Sequence, residues 1–152
     1  MNAIDFKEAV ISHLLNSVDD KIKMAKESIA SLNESKSSAT KNTVGDKYET
    51  GRAMMERELA LSESQLNKSQ ILKHSLQKIS ETKASEEVVL GSFVKADGIY
   101  FLIGVPLGAV HVNGEKCYAI SSASPIGSQL LGKLVGHSFT FMGDKYEINS
   151  IA

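Results

Sequence analysis

Residues 4–32, IDFKEAVISHLLNSVDDKIKMAKESIASL, decide how the chain begins to fold. Ile4, Ile11, Val18, Ala25 and Leu32 recur every seven residues, and Leu15, Ile22 and Ile29 form a second row offset by three or four. Two such rows make an a/d seam sustained for about four heptads, the pattern of a coiled-coil helix. Neither Pro nor Gly occurs between Met1 and Val44 to break it. The polar run Asn33–Asn42, rich in Ser, Lys, Asn and Thr, predicts a connection. The first helix is therefore expected to cover about 30 residues, on the order of 45 Å.

A second helix is expected from near Asp46 to about Ile79. Met55, Leu59, Leu66, Leu72, Leu76 and Ile79 keep helical spacing, with Ser62 and Ser69 in the seam and good helix formers elsewhere. A short link between two long amphipathic helices implies antiparallel pairing, with a tip at about residues 35–51. After Glu86 the pattern changes to short runs of β-branched and aromatic residues. Val88–Lys95 and Ile99–Val105 flank Asp97-Gly98, Ala109–Val112 and Glu115–Ser121 flank Asn113-Gly114, and Phe139–Met142 and Lys145–Ile151 flank Gly143-Asp144. Each is a hairpin signal. Between the last two hairpins Ser124 suits an N-cap, Pro125 the first helical position and Gly132 the position just past the end. The expected class is α+β: an antiparallel helical hairpin over residues 1–85, then a small antiparallel β domain with one short helix over 86–152.

Charge follows the same boundary. Residues 1–86 hold 13 Lys/Arg and 13 Asp/Glu, whereas residues 87–152 hold 4 and 5. The first part is balanced and solvated, the second sparsely charged and apolar. A net charge of -1 over 152 residues supplies no concentrated basic field for non-specific nucleic-acid binding. Cys117 is the single cysteine, so no intrachain disulfide can form, which suits a reducing compartment. Asp5 and Glu8 interrupt the start where a signal peptide would need apolar residues, and the apolar stretch Ile99–Val112 is too short to span a bilayer. The expectation is a soluble, cytoplasmic protein without membrane partner or small-molecule substrate. His13, His74, His111 and His137 lack metal-ligand spacing, and no nucleophile–base motif is recognisable.

Two stretches carry a resemblance. The run from Ile120 to Lys133, with Ser124-Pro125-Ile126-Gly127 and Leu130-Leu131-Gly132-Lys133 at its heart, is followed by Val135-Gly136. Gly45-Asp46-Lys47-Tyr48-Glu49 stands at the start of the second helix. Together with the hairpin-plus-β organisation, these resemble the Gre family of bacterial transcription elongation factors, which stimulate transcript cleavage. The resemblance implies an FKBP-like C-terminal domain, for which Ser124, Pro125, Ile126, Gly127 and Gly132 are the family-motif positions. It also implies RNA polymerase as partner and the nascent RNA as the molecule cut, with no tightly bound cofactor of the chain's own. In that family the coiled coil enters the secondary channel, and tip carboxylates help the polymerase hold a second Mg²⁺. Asp46 and Glu49 would carry that role here, ligating metal only in complex with polymerase, so the chain would stimulate a nuclease rather than be an enzyme itself.

The residue types suit that chemistry. Mg²⁺ takes one or two carboxylates and keeps several waters, and a second metal can generate hydroxide and stabilise a leaving phosphodiester oxygen. The same Asp and Glu also resemble a capping box, in which they would satisfy free N–H groups at a helix start. Lys47 and Arg52 offer contacts for polymerase or phosphate, and with Lys41 they would lower nearby carboxylate pKa values. The alternatives are a polymerase-channel regulator or inhibitor that does not promote cleavage, and a coiled-coil adaptor.

Overall fold

The computed structural model describes residues 2–41 and 46–152, apart from the side chains at 39–41 and 46–49. Its elements run in the order α1 (Ala3–Lys41), α2 (Asp46–Ser80), β1 (Phe93–Ala96), β2 (Ile99–Ile103), β3 (Gly108–Val112), β4 (Glu115–Ile120), α3 (Pro125–Leu130), β5 (Ser138–Phe141) and β6 (Asp144–Ile151). Two long helices pack on each other and precede a six-stranded, mostly antiparallel sheet with a short helix, an α+β architecture. The chain divides into two compact units, Met1–Leu15 with His74–Ala152, and Asn16–Lys73. No helix among the described residues is long and apolar enough to cross a membrane.

The unit Asn16–Lys73 is a pair of antiparallel helix segments. Val18 and Ala25 of α1 are buried in the seam, flanked by half-buried Ile22, Ile29 and Leu32. From α2 come half-buried Met55, Leu59, Ser62 and Leu66 and the buried Ser69. Two ion pairs cross between the helices, Lys73 Nζ–Asp19 Oδ1 at 2.8 Å and Lys36 Nζ–Glu56 Oε1 at 3.3 Å. The polar run Asn33–Asn42 does not end the first helix. α1 spans 39 residues and stays helical to Lys41, about 58 Å at 1.5 Å per residue. Ser, Asn and Lys are tolerated on an exposed helical face, and without Gly or Pro they mark solvent exposure rather than a break.

In the other unit the strand order is β3-β4-β2-β1-β6-β5. Three tight turns close the neighbouring pairs, and all have positive φ at both central residues: Asp97-Gly98, Asn113-Gly114 and Met142-Gly143. That is the type I′ geometry, whose twist matches the flanking strands. The third turn sits one residue earlier than Gly143-Asp144, because Gly takes the second central position and Phe141 then pairs with Asp144. Nor does the first strand begin at Val88. Ser92 N–H donates to the Val89 carbonyl and Val89 N–H to Ser92 Oγ, forming a turn, and pairing with β2 begins at Phe93. The sheet is also not wholly antiparallel: β4 inserts between β3 and β2 and runs parallel to β2, with Tyr100 opposite Cys117 and Ile103 opposite Ile120. Gly104 N–H donating to Ile120 O and Leu107 N–H donating to Ala119 O hold the crossover against β4.

One face of this sheet carries Val94, Ala96, Phe101, Ile103, Phe139 and Ile148, covered by Leu130 and Ile126 of α3. Phe93 and Tyr100 pack instead on Phe6 of α1, with ring centroids 5.6 and 4.8 Å away. Asn2 Oδ1 caps α1 by accepting from Asp5 N–H at 2.8 Å. At this end the heptad rows hold at buried Ile11 and half-buried Leu15 but not at Ile4. Ile4 is 57% exposed, while Phe6, Lys7, Val10 and Leu14 are buried. Helix packing on a sheet selects a wider face than a two-helix seam, so residues between the heptad rows turn inward. Lys7 Nζ donates to the carbonyl oxygens of Thr82 and Ala152, each at 3.4 Å, and burial holds its pKa below the usual 10.5.

Two outcomes follow for stability. Truncating Phe6 to Ala is expected to cost about 3–5 kcal/mol in urea denaturation, whereas Ile4→Ala stays within about 0.5 kcal/mol of the parent. For Lys7, the unfolded chain holds the proton more tightly than the folded one. The resulting penalty is fully present at neutral pH and fades as pH rises through the folded pKa towards 10.5. Urea series over that range are expected to show the parent gaining on Lys7→Met; parallel curves would mean the buried amine costs nothing.

Candidate functional site

The residues singled out from the sequence fall into the two units and are not brought together as one constellation. Asp46, Lys47, Glu49 and Arg52 belong to the first two turns of α2. Gly45 and the side chains of Asp46, Lys47 and Glu49 lie outside the described residues. Arg52 is exposed, and its Nε donates to Glu56 Oε1 at 3.3 Å, one helical turn on. Lys36 reaches the same carboxylate oxygen from α1. Lys36 foremost, and then Arg52, hold the Glu56 carboxyl below the usual range. The cluster is exposed and therefore screened by salt, so its role is to fix helix register rather than to add much stability. Arg52, expected from sequence to offer a contact for polymerase or phosphate, is exposed and paired with Glu56 within the hairpin.

Ser124, Pro125, Ile126, Gly127 and Gly132 form α3 and its ends in the sheet unit. Ser124 is the N-cap: its Oγ accepts from Gly127 N–H at 3.0 Å and donates to Ser121 O at 2.6 Å. Pro125 occupies the first helical turn, where no intrahelical N–H is required. A β-carbon at Gly127 would run into the carbonyl oxygen of Ser121, so only glycine lets the helix start this close to the preceding loop. Leu131 ends the helix, and Gly132 follows at φ +81° with its N–H donating to Val88 O. Ile126 packs on the core that Leu130 enters. The motif is therefore a scaffold. Its polar atoms cap α3 and tie its two ends to the Ser121 and Val88 carbonyls.

Gln129 gave no sequence signal. Its amide Nε2 donates to Thr140 O at 3.1 Å and its Oε1 accepts from Thr140 N–H at 3.3 Å. These bonds cover part of the outer edge of β5, which would otherwise present free backbone groups. Only the pairing of β5 with β6 makes this role visible.

Other chemistry finds little support. Among the described residues, no three His, Cys, Asp or Glu side chains gather closely enough to hold a metal ion. Cys117 is buried in β4, and desolvation pushes its thiol up to about 12, which suppresses the thiolate needed for attack. A cavity of about 570 Å³ in the sheet unit is bordered by Lys7, Glu8, Ser12 and Lys83, and no histidine or cysteine lines it among the described residues. The Leu134 N–H donates to His137 Nδ1 at 3.1 Å, a local turn contact.

Comparison with known proteins was negative throughout: neither a family model, nor a curated protein, nor a solved structure matches the chain. The motif residues can be tested for their structural task directly. Gly127→Ala is expected to lower unfolding free energy by about 1–3 kcal/mol through overpacking, and Ser124→Ala by about 0.5–2 kcal/mol through loss of the cap. Urea denaturation measures both, and an unchanged midpoint for Gly127→Ala would remove the close-approach argument.

Proposed function

We propose that this chain is a Gre-like elongation factor that binds RNA polymerase, inserts its helical hairpin into the secondary channel and stimulates cleavage of backtracked RNA. The observation that carries the reading is the start of α2. Of the two antiparallel helices, α1 runs to Lys41 and α2 begins at Asp46, and α2 opens with two carboxylate residues, Asp46 and Glu49, three positions apart. A chain of this kind delivers acidic oxygen ligands at the end of a narrow rod. Two carboxylates alone hold Mg²⁺ weakly, because the ion keeps most of its waters, so the polymerase supplies the remaining ligands. The shared ion would lower the pKa of its bound water and stabilise the leaving oxygen. The α+β unit, with its Ser124-capped α3, supports the same family reading and its FKBP-like domain, and a cytoplasmic site of action goes with that reading.

A second reading, occupation of the channel without cleavage, draws on the positive charge at this end. Lys47 and Arg52 accompany the carboxylates, and Thr50-Gly51-Arg52 stands where the Gre family usually continues with Asn, an acidic residue and Tyr. RNA cleavage in stalled polymerase complexes separates the two. The parent chain is expected to shorten backtracked RNA in a Mg²⁺-dependent way. Asp46→Ala/Glu49→Ala is expected to lose about 10–100-fold in rate while still co-purifying with polymerase, the scale seen when supporting groups of a metal site are removed. Undiminished cleavage by the double variant would end the carboxylate reading; inhibition by parent and variant alike would establish the second. A chain that does not bind polymerase at all would be an adaptor.

A further inference from the structure

Lys7 is a buried charge that the sheet unit leaves unanswered. It is 6% exposed, yet among the described residues no Asp or Glu side chain pairs with it. An ammonium carries three N–H donors. Two reach the Thr82 and Ala152 carbonyl oxygens at 3.4 Å each, longer than the usual N–H···O range of about 2.7–3.2 Å. The third has no protein acceptor among the described residues. A buried ammonium with only long bonds to neutral groups costs stability, which is the pattern of a group kept for binding rather than for folding.

Lys7 borders the cavity of about 570 Å³ enclosed by the first turns of α1, residues 80–84 and Ala152. Buried Ile11 and Ala152, with half-buried Leu15, give this cavity an apolar floor, and exposed Glu8 and Lys83 stand at its rim. Sites for small molecules span about 300–1,000 Å³ and are built in this way, from apolar walls around a few polar groups that fix orientation. Lys7 and Lys83 against Glu8 leave one positive charge in excess.

We propose that this cavity binds a small aliphatic monocarboxylate, its carboxylate on the Lys7 ammonium and its hydrocarbon part on Ile11, Leu15 and Ala152. The single excess charge matches a monoanion. A carboxylate accepts a shorter and stronger bond from an ammonium than a carbonyl does, and apolar walls screen that attraction weakly. A phosphate dianion would need further donors, and Glu8 and the two carbonyl oxygens would oppose it. A neutral ligand would leave the ammonium as it stands. In the sequence Lys7 reads as one more charge on an amphipathic helix, so only its burial discloses the site. Binding here needs no polymerase.

Sodium octanoate titrated into the full chain, followed by calorimetry and amide NMR, tests the site. The parent is expected to bind saturably with a Kd below about 1 mM, with shifts centred on Lys7, Ile11, Thr82 and Ala152. Octanamide has the same hydrocarbon part without the charge and is expected to bind about tenfold or more weaker. Lys7→Met keeps an apolar stem and removes the ammonium; it is expected to bind octanoate no better than octanamide. Octanoate is also expected to raise the urea midpoint of the parent and not that of Lys7→Met. Should Lys7→Met fail to fold by circular dichroism, the two probes on the parent still decide. Equal affinity for octanoate and octanamide, or no saturation by about 10 mM octanoate, would overturn the proposal. So would tighter binding of octyl phosphate, undiminished octanoate binding by Lys7→Met, or shifts centred on exposed Met24 and Leu61, the mark of detergent-like adsorption.

Discussion

Phe6, Phe93 and Tyr100 meet at ring distances of 4.8–5.6 Å, and this cluster fixes where the first helix joins the sheet unit. Aromatic rings combine a large buried area with preferred tilted and offset geometries, so one cluster selects both the contact and its orientation. Once Phe6 faces the sheet, Val10 and Leu14 must follow it inward, Ile4 must face out, and Lys7 is carried into a site where the backbone oxygens of Thr82 and Ala152 receive its amine. The start of α1 and the end of α2 therefore belong to the sheet unit, although each is continuous with a helix of the hairpin unit.

The helix pair obeys a different constraint. Its seam is two residue rows wide on each helix, mostly half-buried, and includes two serines, so hydrophobic packing alone specifies its register weakly. The inter-helix ion pairs at Asp19–Lys73 and Lys36–Glu56 add direction: shifting one helix along the other would break both. Exposed pairs of this kind add little stability but discriminate between registers. Lys36 also meets the carboxylate that Arg52 holds, so the charge near the bend is already partly neutralised within the chain.

The most recognisable sequence run and the most chemical one have separate tasks. Ser124, Pro125 and Gly127 set the start of α3, Gly132 releases the chain after it, and Gln129 covers an edge of the sheet. Ser124 and Gln129 hydrogen-bond backbone, and Pro125, Gly127 and Gly132 meet backbone demands, which explains a specific pattern without a reactive group. Under the proposed function the reacting end belongs to α2, where capping and metal binding draw on the same two residue types. A helix start favours carboxylates for its own N–H groups, so their occurrence there is compatible with either task.

The sequence by itself determined the kind and order of the elements. Period seven named the first helix and looser helical spacing the second, and Asp97-Gly98 and Asn113-Gly114 named two turns, because their backbone demands are met by local residue chemistry. Ser124, Pro125 and Gly132 marked the bounds of α3 for the same reason. Local pattern also misled where exposure, not conformation, was being read: Asn33–Asn42 is polar yet α1 continues to Lys41. Tertiary structure alone decided that β4 enters between β3 and β2, that Phe6 and not Ile4 faces inward, and that Gln129 pairs with Thr140. Those outcomes depend on which surfaces meet across long separations in the chain, and a residue's neighbours in sequence carry no record of them.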